Sequence, residues 1–143
     1  MNKYVGIIAT LLLGFTTLTP VNADTTLKTI IVNTSSAPIH IDTCTAMTED
    51  TAVGNENYYF KPRASYSNVS QKTIKALEIQ FTILDDFDTQ LARKGGIDGD
   101  GLGVGQSSHG VWSYISFPET IAIIKCSVQR VKFMDGSSWP VTY

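Results

Sequence analysis

The chain has 143 residues, of which 43% are hydrophobic, 17% charged and 10% aromatic, and its formal net charge is −2. That length suits one compact domain, and so much apolar content with so little net charge argues against disorder. Acidic residues are in slight excess, which leaves no basic surplus to hold a phosphate backbone and argues against nucleic acid as a partner.

Residues 1–23 read as an export leader. Lys3 precedes an uncharged apolar stretch over 5–18, Pro20 breaks it, and Val21-Asn22-Ala23 offers the small-x-small site that a signal peptidase needs. A membrane anchor is the competing reading, but a run of about 14 residues is short of the roughly 20 that span a bilayer. No Cys follows the run before Cys44, which argues against a lipid anchor at a cleavage-site Cys. Cleavage after Ala23 would leave residues 24–143 as a single domain starting at Asp24, periplasmic or secreted, with no later membrane span. Cys44 and Cys126 are the only cysteines, and an even count in an oxidising compartment favours a disulfide over a metal or catalytic pair.

The rest reads as β-strands. Residues 27–32 are rich in β-branched side chains and end at the turn-forming Asn33-Thr34-Ser35-Ser36. Residues 39–45 alternate with period two, 49–57 are polar and read as loop, and 58–66 form a third candidate in which Pro62 points to an edge or a bulge. Residues 73–84 are the best-defined strand, with Leu77, Ile79, Phe81 and Ile83 on one face and Glu78, Gln80 and Thr82 on the other. A strand over 111–117 follows a Gly-rich loop. In 121–133 the apolar set Ile124, Cys126 and Val128 is one residue out of phase with Val131 and Phe133, which predicts a β-bulge near Gln129-Arg130. Asp135-Gly136 supplies hairpin turn chemistry, and 139–143 returns as a short strand. About seven short antiparallel strands with one long-range Cys pair describe an all-β chain, a β-sandwich.

The stretch Asn68-Val69-Ser70, leading into residues 71–85 with Phe81-Thr82-Ile83-Leu84-Asp85 at its end, resembles the exported bacterial immunoglobulin-like domains called FxLYD domains. Residues 131–139, Val-Lys-Phe-Met-Asp-Gly-Ser-Ser-Trp, are similar to the V-x-F-x-D-G-x-x-W ending of other members of that broad group. Residues 84–87 depart from the Tyr-Asp form. The resemblance implies an immunoglobulin-like fold and carries over no catalytic residue.

The Gly-rich segment 95–105 fits no phosphate-binding loop, since neither G-x-x-x-x-G-K-[ST] nor G-x-G-x-x-G is present. Asp98 and Asp100 alternate with glycine as calcium ligands do, and 95–102 approximates one repeat of a calcium β-roll, but such rolls need stacked copies. The plainer expectation is a mobile loop kept soluble by Asp, with no cofactor and no metal. Asp85, Asp86 and Asp88 could join Asp98 and Asp100, or simply form a charged strand end that discourages edge pairing.

His40, Asp42 and Cys44 share one strand face by spacing, so Cys44 reaches the core only if His40 and Asp42 leave it through a bulge or a strand end. A metal or hydrolase site would draw on His40, Asp42 and His109 with Ser107 or Ser108, yet no G-x-S-x-G elbow is present. Trp112, Tyr114 and Trp139 suit a core or an interface edge. Tyr58, Tyr59, Phe60 and Tyr66 beside Lys61 and Arg63 could make the exposed aromatic-basic strip favoured at protein interfaces. Asn33-Thr34-Ser35 and Asn68-Val69-Ser70 have the form of glycosylation sites, although turns explain them equally. The expectation is a non-enzymatic exported domain that binds a protein or envelope component. The alternatives are a small hydrolase or metal-dependent enzyme, and a secreted inhibitor acting through the loop at 95–110.

Overall fold

The computed structural model describes residues 25–50, 58–117 and 121–140, so the predicted leader lies outside the described residues. Among the described residues there are nine strands and no helix. They are β1 (Thr25–Val32), β2 (Ile39–Asp50), β3 (Tyr58–Asn68), β4 (Ile74–Leu84), β5 (Gln90–Asp98), β6 (Ser107–Val111), β7 (Tyr114–Phe117), β8 (Ile123–Phe133) and β9 (Ser138–Trp139). The all-β expectation holds, but the strands are not all antiparallel.

Hydrogen bonding runs through one mixed sheet in the order β5-β4-β8-β1-β2-β3-β6, with β7 also on β3 and β9 also on β8. β1 makes the sheet curl. Its first residues pair antiparallel with β2, Thr25 opposite Thr48 through Leu27 opposite Ala46, and its last five pair parallel with β8, Lys28 opposite Ile123 through Val32 opposite Ser127. The half built on β2 and β3 therefore faces the half built on β4 and β8 across a shared core of Ile39, Ile41, Phe60, Ile79, Phe81, Ile83 and Ile124. The Phe60 and Phe81 rings meet edge to face there, 6.4 Å apart, and the Cys44–Cys126 disulfide joins β2 to β8.

Where β1 leaves β2 for β8, the vacated edge of β2 would carry unpaired backbone groups. Side chains take them instead. Thr29 donates its hydroxyl to the Cys44 carbonyl at 2.7 Å, and the Asn33 amide both accepts from Ile41 N–H (2.9 Å) and donates to its carbonyl (3.0 Å).

The bulge that the spacing predicts near Gln129-Arg130 is present. Of the two routes by which His40 and Asp42 could leave the core, a bulge or a strand end, the bulge is the one found. The register of β2 on β3 shifts between Ile41 and Thr43, which leaves Asp42 as the extra residue. His40 and Asp42 are thereby exposed while Cys44 is buried. On β8, Glu78 faces Arg130 and Ile79 faces Val128, so Gln129 is the extra residue. Asp135-Gly136 lies in the hairpin between β8 and β9, with Gly136 at φ 88°.

Five expectations need correction. Residues 49 and 50 belong to β2. Pro62 is not on an outer edge: β3 pairs with β2 on one side and with β6 and β7 on the other. Its carbonyl accepts from Trp112 N–H at 3.0 Å, so its nitrogen, with no hydrogen to give, faces the break at Trp112-Ser113 that splits the expected 111–117 strand into β6 and β7. Residues 95–98 are not loop but the end of β5, paired with Leu77–Gln80 of β4. Nor is the remaining Gly-rich segment loosely held, because Leu102 is buried and exchanges both backbone hydrogen bonds with Ile74 at 2.9 Å.

Candidate functional site

The open side of the curl lies between β5 and β6, and aromatic side chains bridge it. Trp112 sits over Phe81, ring centroids 5.3 Å apart, and donates its indole N–H to the Ile97 carbonyl at 3.2 Å. A Cβ on Gly96 or on Gly110 would collide with its ring, so the indole needs bare backbone on both strands. Tyr114 stacks on Phe60 and donates to the Gly95 carbonyl at 2.9 Å. Tyr66, fully buried, donates its phenol to the Asp98 carboxylate. Burial, and then the Asp98 carboxylate, push the Tyr66 phenol well above the usual tyrosine value.

That bond decides what Asp98 can do. One oxygen accepts from Tyr66 and the other from Asp100 N–H at 2.9 Å, so the first of the two calcium candidates is a structural carboxylate. Asp85, Asp86 and Asp88 do not join Asp98 and Asp100: Asp98 pairs with Leu77 near the start of β4, whereas Asp85 follows its last residue. Among the described residues no group of three or more His, Cys, Asp or Glu is arranged to hold a metal. The Gly-rich segment is organised by Asn68. Its amide donates to the carbonyls of Lys72, Leu102 and Gly103 at 2.9–3.1 Å, and its oxygen accepts from Ser70. A side chain 1% exposed and so fully engaged is no glycan acceptor.

Of the hydrolase candidates, His40, Asp42, Ser107 and His109 share the outer face of β2, β3 and β6, whereas Ser108 turns inward beside Tyr66. His40 is opposite Ser67, Ser67 opposite Ser107, and His109 opposite Ser65. Ser67 donates to Asp42 at 2.7 Å and so receives the Ser107 hydroxyl at 2.8 Å. The order is Ser107-Ser67-Asp42, and among the described residues the relay contains a carboxylate and no imidazole, unlike the Ser-His-Asp order of a serine hydrolase.

The aromatic-basic strip divides by strand alternation. Phe60 is a core residue, as is Tyr66, which corrects their reading as surface binders. Tyr59, Lys61 and Arg63 point outward, with Lys61 paired to Glu49 and 5.6 Å from the Tyr59 ring centroid. The side chain of Tyr58 lies outside the described residues.

The chain matches no known family model, no curated protein and no solved structure. The site has to be read from its own geometry, and the feature that sequence reasoning missed is a groove on the outer face of β4, β5, β8 and β9. It encloses about 570 Å³ and is lined by Ala76, Glu78, Ile97, Arg130, Lys132 and Trp139 among others. A shallower depression of about 330 Å³ adjoins it, sharing Glu78 and Arg130 and adding Arg93 and Lys94.

The Gln129 bulge builds this groove. β1 covers β8 as far as Ser127 and β9 begins at Val131, so residues 128–130 pair with β4 alone. Bulged backbone turns both Gln129 and Arg130 outward, where Arg130 pairs with Glu78. Three cationic side chains, Arg93, Arg130 and Lys132, face the two depressions against one carboxylate, in a chain whose net charge is negative. The sequence held part of the signal, in the phase break at 129–130, but not its partner strand β5.

Proposed function

We propose that this chain is an exported, non-enzymatic β-sandwich module that binds a protein partner through the groove on β4, β5, β8 and β9. One observation carries the reading: an apolar floor of Ala76, Ile97, Trp139 and Pro140 is rimmed by Arg93, Arg130 and Lys132, while Lys94 turns to the other face, over the Tyr114 ring. Such a surface suits an acidic protein segment with one apolar or aromatic anchor, because rim cations steer and orient the segment while the anchor fills the dry centre. The facing halves of the curled sheet and the disulfide between them support the finer reading as an immunoglobulin-like sandwich of the FxLYD-like group. The predicted leader and that disulfide support export.

The test is a titration of the labelled protein with a short N-acetylated peptide carrying one Phe among Asp residues, followed by amide NMR shifts. Shifts confined to residues 76–78, 97, 129–132 and 138–139, lost in Arg130→Glu, are expected. No shifts, or shifts elsewhere, overturn the reading.

A further inference from the structure

The hairpin between β4 and β5 ends in Asp85-Asp86-Phe87-Asp88-Thr89, and Phe87 at its tip is 89% exposed. Aromatic side chains bury large areas when a site is offered, and a fixed one on the surface is a preformed anchor. This one is fixed. The Asp85 carboxylate accepts from the N–H groups of Phe87 and Thr89 at 2.9 and 2.8 Å, and the Asp85 N–H and Thr89 carbonyl close the loop at 3.0 Å. Three acidic residues, Asp85, Asp86 and Asp88, neighbour Phe87 in the loop.

We infer that the groove receives the Phe87 hairpin of a second copy of this chain, so that copies associate head to tail. The inference rests on the reading of the groove as a protein-binding site and supplies its partner. Three features favour a second copy. The tip carries Asp85, Asp86 and Asp88 beside one aromatic ring, while the two depressions present Arg93, Arg130 and Lys132 with Glu78 around an apolar floor, so sign and shape match. The groove, at about 570 Å³, has room for a Phe ring with the loop backbone that bears it.

The third feature is distance. Groove residues Ala76 and Glu78 stand near the start of β4 and the tip follows its end, about 25 Å away at roughly 3.3 Å per residue, so no chain can fill its own groove. An anchor and its receptor at opposite ends of one rigid hairpin make a heterologous contact, which propagates as an open row. The contact is small. It belongs with interfaces below about 1,200 Å², and association is expected near about 0.1 mM.

Sedimentation velocity tests this. From about 10 µM to about 1 mM, the range in which so small an interface populates, the wild-type sedimentation coefficient should climb, and about 0.5 M NaCl should reverse the climb. Phe87→Ala removes the anchor, and Arg130→Glu with Lys132→Glu removes the receptor; all three side chains are exposed, so both variants keep the fold. Each variant alone should stay monomeric. Their equimolar mixture should form a dimer and nothing larger, since one copy supplies a tip and the other a groove.

A wild-type chain that stays monomeric throughout, association that survives Phe87→Ala, or a mixture that stays monomeric overturns the inference. If the acidic peptide still shifts the groove amides in that case, the groove binds a different acidic partner and only the self-association is lost. If the peptide is inert as well, both readings fall.

Discussion

Asp88 and Gly136 occupy the same place in two hairpins. In each, a pair of residues bonds across the loop (Asp85 N–H to the Thr89 carbonyl, Phe133 N–H to the Ser137 carbonyl) with three residues between them, and the third of these takes a left-handed conformation, φ 61° at Asp88 and 88° at Gly136. Only glycine does so without steric penalty. Asp88→Gly is therefore expected to raise stability by about 0.5–1 kcal/mol and Gly136→Ala to lower it by about 1–2 kcal/mol, read from urea midpoints at unchanged slope. The difference explains what could be read in advance. Asp135-Gly136 announces a turn, whereas Asp in the left-handed position looks like one more acid in a charged run, and the hairpin that carries Phe87 went unrecognised. Tyr66 gives a second residue-scale test. A phenol whose folded pKa is raised contributes stability that is whole below the ordinary value near 10 and is lost as pH climbs from there through the folded value. Absorbance titration should find Tyr66 still protonated past about pH 11 in the folded protein, and Asp98→Asn should bring its ionisation to lower pH.

At the scale of elements, strands were legible where packing alternates and illegible where a neighbour imposes the conformation. β4 alternates inward Leu77, Ile79, Phe81 and Ile83 with polar residues, and its period is visible without a partner. β5 begins Gln-Leu-Ala-Arg-Lys-Gly-Gly, with no β-branched residue in that run, and is a strand because β4 offers it a full ladder and Trp112 needs bare backbone beneath its ring. Glycine pairs suggest loops when read alone; here the missing side chains are the space an indole fills. Gly96→Ala and Gly110→Ala should each lower stability by about 1–3 kcal/mol, with a change in the environment of Trp112 visible in near-ultraviolet circular dichroism. Wild-type stability in either variant would show that the ring has room to move. The candidate site follows the same division. The bulge at Gln129 was legible as a phase break, but the groove needs β5 beside β4, and it was lost with that strand.

For the molecule as a whole, the disulfide adds a covalent tie between halves of the sheet that also share the turn of β1, the contacts across the core and the side-chain hydrogen bonds bridging β5 to β6 and β7. It closes a sequence separation of 82 residues, for which the chain-entropy treatment gives roughly 4–5 kcal/mol. Cys44→Ala with Cys126→Ala should lower unfolding free energy by about 2–5 kcal/mol in denaturant, with the loss reproduced by reductant in the wild type. Thiol titration of the unreduced, denatured protein should find no free thiol.

The route of β1 also sets an order of events during synthesis. Five of its residues have their parallel partners in β8, almost the whole described chain later, and no hairpin can bring them together sooner. The first strand to emerge must wait, half paired, until nearly the last one arrives. A chain ending before Ile123 should therefore stay protease-sensitive and lack the near-ultraviolet signal of packed aromatics. Such a polypeptide remains extended and threadable until residues 123–127 of β8 have been made, because only they complete the ladder of β1.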